Sequence, residues 1–277
     1  MNTSCYFDKT VTACQFCIRK NIANYWSWRS SSFDETSAQQ QAWWEAYLAA
    51  AGEDKRCKVL DIGTGTGFIA LGFAKAGHKV TGVDIAPGML ARARSKANLK
   101  GLEIDFLIAD AENPPFPPKS FDVIVCRNLL WTLCNPDRAL SHWYQLLRPG
   151  GRVIVSDGIW RISGLKGFFQ KMRGYAKTIL KNGVSSYPIQ FEFAYRNAKK
   201  SLPNFKGMKA KDAEAILNIC GFSNISRYDH LFDINPYPKA YGNDFFIMAA
   251  VKQNRFLNEK ERFTSLQTSP TLLVENA

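Results

Sequence analysis

Three glycines at alternate positions, Gly63, Gly65 and Gly67, follow directly on the apolar run Val59-Leu60-Asp61-Ile62. A buried strand that runs into such a turn leaves little choice of architecture. Glycine permits the tight, positive-φ backbone that lets a ligand approach the chain closely. Phe68 to Ala74 then supply Ile69, Leu71 and Phe73 for a packed helix, whose first free N–H groups point toward that ligand. This is a nucleotide-type cradle at the carboxyl end of a strand, where open α/β sheets bind their ligands.

The spacing separates one cradle from another. A dinucleotide fingerprint reads G-x-G-x-x-G, whereas here the third glycine falls one place early, at Gly67, and Phe68 takes the place it should hold. An acid, Asp61, also stands inside the loop, where a pyrophosphate would be repelled and a cationic ammonium welcomed. A nicotinamide-dependent oxidoreductase is disfavoured on both counts. The second acid, Asp84, ends Lys79-Val80-Thr81-Gly82-Val83, about twenty residues on, the distance at which an acid takes ribose hydroxyls. Ribose at one end and an amino acid at the other describe S-adenosylmethionine.

At this point the sequence resembles the class I S-adenosylmethionine-dependent methyltransferases. Asp61-Ile62-Gly63-Thr64-Gly65-Thr66-Gly67 is similar to their first motif, and Asp84 matches the acid after the second strand. Asp110-Ala111-Glu112 resembles the adenine-contacting motif after the third strand. Ser120 to Ile124 resembles the fourth strand, and Leu147 to Val153 the turn into the fifth. The likeness is greatest to the small-molecule branch that includes ubiquinone and menaquinone methyltransferases. It implies a doubly wound, Rossmann-like α/β fold with a seven-stranded, mostly parallel sheet. It further implies S-adenosyl-L-methionine as cofactor and a cofactor site at Asp61, Gly63, Thr64, Gly65, Asp84, Ile85, Met89, Asp110, Ala111 and Arg127. In that scheme Asp61 lies near the ammonium group, Asp84 takes the ribose, Ile85 packs on adenine, Asp110 takes the adenine amino group, and the Arg127 carbonyl holds the cofactor's amino group. Met89 reads equally as core of its helix. Trp131 would wall the acceptor site.

The segment before the core carries Tyr25-Trp26-Ser27-Trp28-Arg29. Related methyltransferases have a similar stretch there, so Tyr25 and Arg29 are further candidates for the cofactor site. The alternative is an aromatic staple that packs a leading helix on the domain.

Hydrophobic periodicity predicts a helix over 36–51, strand 58–62, helix 67–76, strand 79–83, helix 87–98, strands 103–108 and 121–126, helix 136–147 and strand 151–156. Pro87 suits the first turn of a helix. The family resemblance implies that strands near 222–229 and 245–252 complete the sheet, and the second is the continuous apolar run of a buried strand. The expected division is 1–52 as an N-terminal helical segment, 53–159 as the cofactor-binding core and 160–212 as a helical lid inserted after strand 5. Residues 213–255 would complete the core and 256–277 form a tail.

Residues 161–211 hold twelve Lys or Arg against the single acid Glu192, whereas the whole chain carries a formal +12. The basic charge is therefore local. Leu165, Phe168, Phe169, Met172, Tyr175 and Ile179 recur at helical spacing among these charges, giving a basic amphipathic helix over 164–183. It reads as a solvated face, as a lid over a small anionic or aromatic acceptor, or as a membrane-surface helix that reaches a lipid-like one. No stacking platform for nucleic acid is visible. Asn113-Pro114-Pro115-Phe116 spells a base-gripping motif of DNA methyltransferases, but it precedes the fourth strand instead of following it.

No run of eighteen apolar residues predicts a membrane span, and Met1 to Thr12 lacks an apolar signal core. Seven scattered cysteines favour a reducing, cytoplasmic setting. Cys14 and Cys17 lack the second pair that a zinc site wants, so no metal is expected. His78 and His142 fall away from the pocket mouth, and no residue stands out as a catalytic base. A catalytically silent cofactor-binding protein would carry the same motifs.

Overall fold

The computed structural model describes residues 13–33, 37–52, 56–159, 187–196, 198–232, 236 and 245–253. In chain order these form α1 (Ala13–Arg29), α2 (Ser37–Ala51), β1 (Lys58–Ile62), α3 (Phe68–Lys75), β2 (Lys79–Asp84), α4 (Pro87–Leu99) and β3 (Ile104–Ile108). Then follow β4 (Phe121–Arg127), α5 (Pro136–Leu146), β5 (Leu147–Gly158), α6 (Tyr187–Tyr195), α7 (Ala210–Ile219), β6 (Phe222–Arg227) and β7 (Phe245–Lys252).

The strands build one seven-stranded sheet in the order β3-β2-β1-β4-β5-β7-β6. β1 to β5 are parallel, and β7 runs antiparallel between β5 and β6. The order reverses between β1 and β4, and that switch point fixes where a ligand crevice opens.

The two faces of β1 show why the sheet is covered on both sides. Val59 packs with Trp43, Tyr47, Ile69 and Phe73 from α2 and α3, whereas Leu60 and Ile62 pack with Leu140, Trp143 and Leu217 from α5 and α7. Alternate residues of one strand thus feed opposite cores. Among the described residues the predicted strands and helices of the sheet appear within a few residues of their expected bounds. The fifth strand is longer than expected, because Phe121 pairs with Leu147 before the register shifts at Phe121/Val123. The Arg148-Pro149-Gly150-Gly151 turn is thereby carried inside the ladder. Helix α7 begins at Ala210, within the range expected for the insertion.

A third cluster lies across the carboxyl ends of the strands. Ile18, Ile22 and Tyr25 of α1 meet Trp131 and Cys134, which follow β4, and Tyr195, Leu202 and Phe205 from the inserted segment. α1 and residues 191–205 therefore share one apolar cover beside the turn that follows β4. Glu192 of α6 pairs with Lys199 inside this cover. The basic helix expected over 164–183 lies outside the described residues. Among the described residues no helix is long and apolar enough to cross a membrane.

Candidate functional site

The glycine loop takes the geometry its sequence requires. Gly63, Gly65 and Gly67 have φ of 68°, 56° and 82°. A Cβ at Gly63 would stand 2.7 Å from Leu129 Cδ1, yet one at Gly65 would meet nothing within 4 Å. The loop is therefore closed by protein at its first glycine and open at its second.

Asp84 ties the loop to β2. Its Oδ2 accepts from Gly65 N at 2.8 Å and its Oδ1 from Ala86 N at 2.8 Å. An ionised carboxylate has about four lone-pair sites, so the backbone donors Gly65, Ala86 and Ile85 leave room for another. Ile85 lies half-buried beside it. Met89 is 2% exposed in the packed face of α4, which is the core position that was its alternative reading.

Asp61 turns inward. Its Oδ2 accepts from Thr64 Oγ1 at 2.7 Å and from Ala70 N at 3.0 Å, so it braces the loop and the first turn of α3. Thr64 was expected as a cofactor contact and here serves that brace. Burial pushes Asp61 up to about 7, against the pull of those two hydrogen bonds. Burial likewise pushes Asp84 up to about 6.

Both folded values lie above the unfolded 3.8, so the folded state binds more protons between them. The two acids weaken the fold at neutral pH, and that weakening is relieved as pH falls through about 7 and then about 6. Ligand-free thermal unfolding should show this as a contribution that rises toward acid pH and shrinks in Asp61→Asn. An identical pH slope in the variant would refute it.

At the end of β3, Asp110 and Glu112 close on Arg19 of α1. Arg19 Nη1 lies 3.0 Å from Asp110 Oδ2, and Nη2 donates to Glu112 Oε2 at 2.9 Å. All three side chains are buried. The Ala111 carbonyl accepts from Trp143 Nε1 at 2.8 Å. The loop Asn113 to Phe116 is a connection: the Pro114 carbonyl meets His142 Nε2 at 3.3 Å and Phe116 packs edge-on against Phe121.

The far wall is α4. Gly88 N donates to Ser27 Oγ at 3.2 Å, and a Cβ at Gly88 would stand 2.6 Å from the Ser27 carbonyl oxygen. α1 thus touches both flanks of the crevice, at Gly88 and at Asp110. Gly88→Ala should unseat it, because the obstructing atoms are backbone. The expected result is faster proteolytic cutting within α1 and a lower Tm; unchanged cutting would show that the contact is dispensable.

Tyr25 is 8% exposed and meets Phe191 and Tyr195 edge-on. Arg29 lies over the Phe33 ring at 5.5 Å and donates to Ser32. Both are engaged in the packing of the leading segment. Arg127 ends β4 with its guanidinium 4.4 Å from the Phe68 ring centre and 4.9 Å from that of Trp43. Asn128, at φ 56°, then turns the chain back, and Leu130–Thr132 forms one 3-10 turn that lays Trp131 across the strand ends. Trp131 stacks at a tilt on Tyr195, with ring centres 5.5 Å apart.

Sequence reasoning passed over Arg19, Ser27 and Asp157. Asp157 is 1% exposed at the end of β5, and its carboxylate accepts from Trp131 N at 3.2 Å and Gly158 N at 2.9 Å. The signal was available: a polar Ser156-Asp157 pair interrupts the apolar run of β5 at its carboxyl end. The histidines take structural places. His78 Nδ1 accepts from Cys57 N at 3.1 Å, and His230 lies beyond β6 in Asp229–Leu231.

The arrangement brings together an open glycine at Gly65, a carboxylate at Asp84 held by backbone N–H groups, a second carboxylate at Asp110 and an aromatic cluster around Trp131. A family model described as a methyltransferase domain matches residues 60–155. The demethylmenaquinone methyltransferase of Thermus thermophilus is 33% identical over 173 residues, covering 60% of this chain and 74% of that protein. The ubiquinone biosynthesis O-methyltransferase of an Azoarcus species is 28% identical over 199 residues, covering 68% and 82%. A solved structure of Haemonchus contortus phosphoethanolamine N-methyltransferase 2, with phosphomonomethylethanolamine and S-adenosylhomocysteine, aligns with a TM-score of 0.57 at 20% identity, covering 86% of this chain and 60% of that one. This last likeness speaks for the fold alone.

Proposed function

The chain belongs to the class I S-adenosylmethionine-dependent methyltransferases, and from that premise we propose that it methylates a small aromatic acceptor, phenolic or quinol in kind. The observation that carries this reading is the aromatic cover. Tyr25, Trp131, Phe191, Tyr195 and Phe205 crowd the carboxyl ends of β4 and β5, and a flat ring gains from offset and edge contacts with such a layer. The two relatives named above are called demethylmenaquinone and ubiquinone biosynthesis methyltransferases, which is consistent with a ring acceptor.

The residues present fit the cofactor. The space before Gly65 admits a ligand that a Cβ would displace. In this reading Asp84 accepts from the ribose hydroxyls, with Gly65 and Ala86 holding its oxygens in place. Ile85 packs on the adenine, Asp110 accepts from the exocyclic amino group, and Ala111 contributes its backbone. Asp61 acts through Thr64 and Ala70, as the brace of the loop. When bound, S-adenosylmethionine supplies an electrophilic methyl group. The chain supplies orientation and exclusion of water. Asp157 fixes the Trp131 backbone, and Trp26 Nε1 donates to Tyr195 Oη at 2.9 Å, which pins the cover. Tyr25 and Arg29 act by seating that cover over the cofactor.

The basic charge of 161–211 favours an acceptor that carries an anionic substituent. It also supports a second reading, a lipid-like acceptor met at an anionic membrane surface through 164–183. The test is formation of S-adenosylhomocysteine by the full chain with a panel of phenols, quinols, amines and thiols, free and in anionic vesicles. Turnover of phenols or quinols supports the proposal, and turnover confined to amines or thiols overturns it. Cofactor binding with no turnover of any acceptor would favour the silent protein. Neutralising Lys171, Arg173 and Lys177 together should raise the acceptor KM for an anionic substrate. Loss of vesicle binding with unchanged turnover of soluble acceptors would favour the membrane reading.

A further inference from the structure

Arg19 carries a charge from α1 to the turn after β3. It is 6% exposed, and it brings a guanidinium into the interior. Burying that charge is costly unless it is paired. Glu112 does much of the pairing, and is itself held firmly. Its Oε1 accepts from Cys134 N at 2.7 Å and Asn135 N at 3.2 Å, while Oε2 takes Arg19 Nη2 at 2.9 Å.

Asp110 is treated differently. Its Oδ1 accepts from Glu112 N at 3.0 Å. Its Oδ2 lies 3.0 Å from Arg19 Nη1, but that nitrogen makes no aligned hydrogen bond. The guanidinium therefore acts on Oδ2 as a nearby charge and not through an aligned hydrogen bond. A carboxylate held ionised is an acceptor only. Adenine presents an amino donor at C6, whereas hypoxanthine presents an oxo acceptor there.

We propose that Arg19 is a positioning residue for cofactor selection: its charge holds Asp110 ionised and in place, so that this position accepts a 6-amino purine and refuses a 6-oxo purine. The inference deepens the function proposed above and rests on the assignment of Asp110 to the adenine. Because Arg19 belongs to α1, selection of the base also depends on the seating of that helix.

The charges that face Asp110 support the direction. Burial raises its pKa, Arg19 is the largest opposing influence, and Glu112 on the same turn and Arg138 from α5 act more weakly. Without Arg19 the acid protonates more readily. A protonated carboxyl donates one hydrogen, which disfavours the amino purine and welcomes the oxo purine.

The experiment is calorimetric titration of the full chain with S-adenosylhomocysteine and with S-inosylhomocysteine at acid, neutral and alkaline pH. Wild type should prefer the adenosyl ligand by about 100-fold or more, as a site built around a polar partner does. Arg19→Met should lose most of that preference, more at the acid end than at the alkaline end, and Arg19→Lys should restore part of it. Asp61 and Asp84 titrate in both proteins, so the difference between variant and wild type isolates Asp110. An equal loss for both ligands at every pH would mark Arg19 as structural only and overturn the proposal. So would wild-type behaviour of Arg19→Met while Asp110→Asn loses discrimination. If Asp110→Asn also binds both ligands as wild type does, the assignment of Asp110 itself fails. Should Arg19→Met not fold, the double variant Arg19→Met/Glu112→Gln removes one of the stranded charges and is read by the same comparison.

Discussion

Asp84→Ala should weaken S-adenosylhomocysteine binding by about 100-fold or more, because hydrogen bonds to a charged group contribute about 1.5–3 kcal/mol each. The loss has two sources. The ribose forfeits its acceptor, and Gly65 N and Ala86 N forfeit the oxygens that fix the loop. Calorimetry of the folded variant gives the affinity, and circular dichroism shows whether the fold survives. Asp84→Asn separates the sources. It keeps the shape but sets an amide NH2 against one backbone donor, so it should fall between alanine and wild type. Affinity retained in the alanine variant would remove Asp84 from the cofactor site.

Gly65→Ala should give the opposite division between stability and binding. The residue has φ 56°, so an L side chain there costs roughly 1–2 kcal/mol of fold stability. No protein atom obstructs the new methyl group, so the fold persists. The space it takes is the space proposed for the ligand, and S-adenosylhomocysteine affinity should drop by about 100-fold, or nearly 3 kcal/mol. Gly63→Ala serves as contrast, since its methyl would press on Leu129 and should lower Tm as well. If Gly65→Ala binds like wild type, the ligand does not pass in front of this glycine.

How much of this was legible follows from how local each signal is. The strand-turn-helix of 58–75 needs only neighbours in sequence, and its glycines sit where the spacing put them. Asp84 was legible for the same reason, being the last residue of a strand that pairs in register with β1. Asp61 stands out in the sequence as an acid inside a glycine loop, but its partners do not, because only the folded loop shows Thr64 and Ala70 turned onto it. Arg19 was not legible at all. It meets Glu112 across 93 residues of chain, and in sequence it is one arginine beside Lys20. The aromatics of the cover could be enumerated from sequence, but which of them touch depends on packing α1 against the inserted segment. Asp157 lay in plain view as a polar interruption of a buried strand, and was lost among apolar neighbours.

Arg19 also sets the boundary of what can be cut from this protein. The family model starts at residue 60, yet a fragment trimmed to that edge would keep Asp110 and Glu112 and lose the cation between them. Stranding a buried ion partner typically costs about 3–5 kcal/mol, a large share of the stability of an ordinary domain. The loss of α2 would add to it, since Tyr47 Oη donates to the Cys126 carbonyl at 2.8 Å from inside the core. The stretch that the family model matches is thus smaller than the stretch that folds. Exchange of modules with a relative would have to move α1, α2 and the β3 loop as a set.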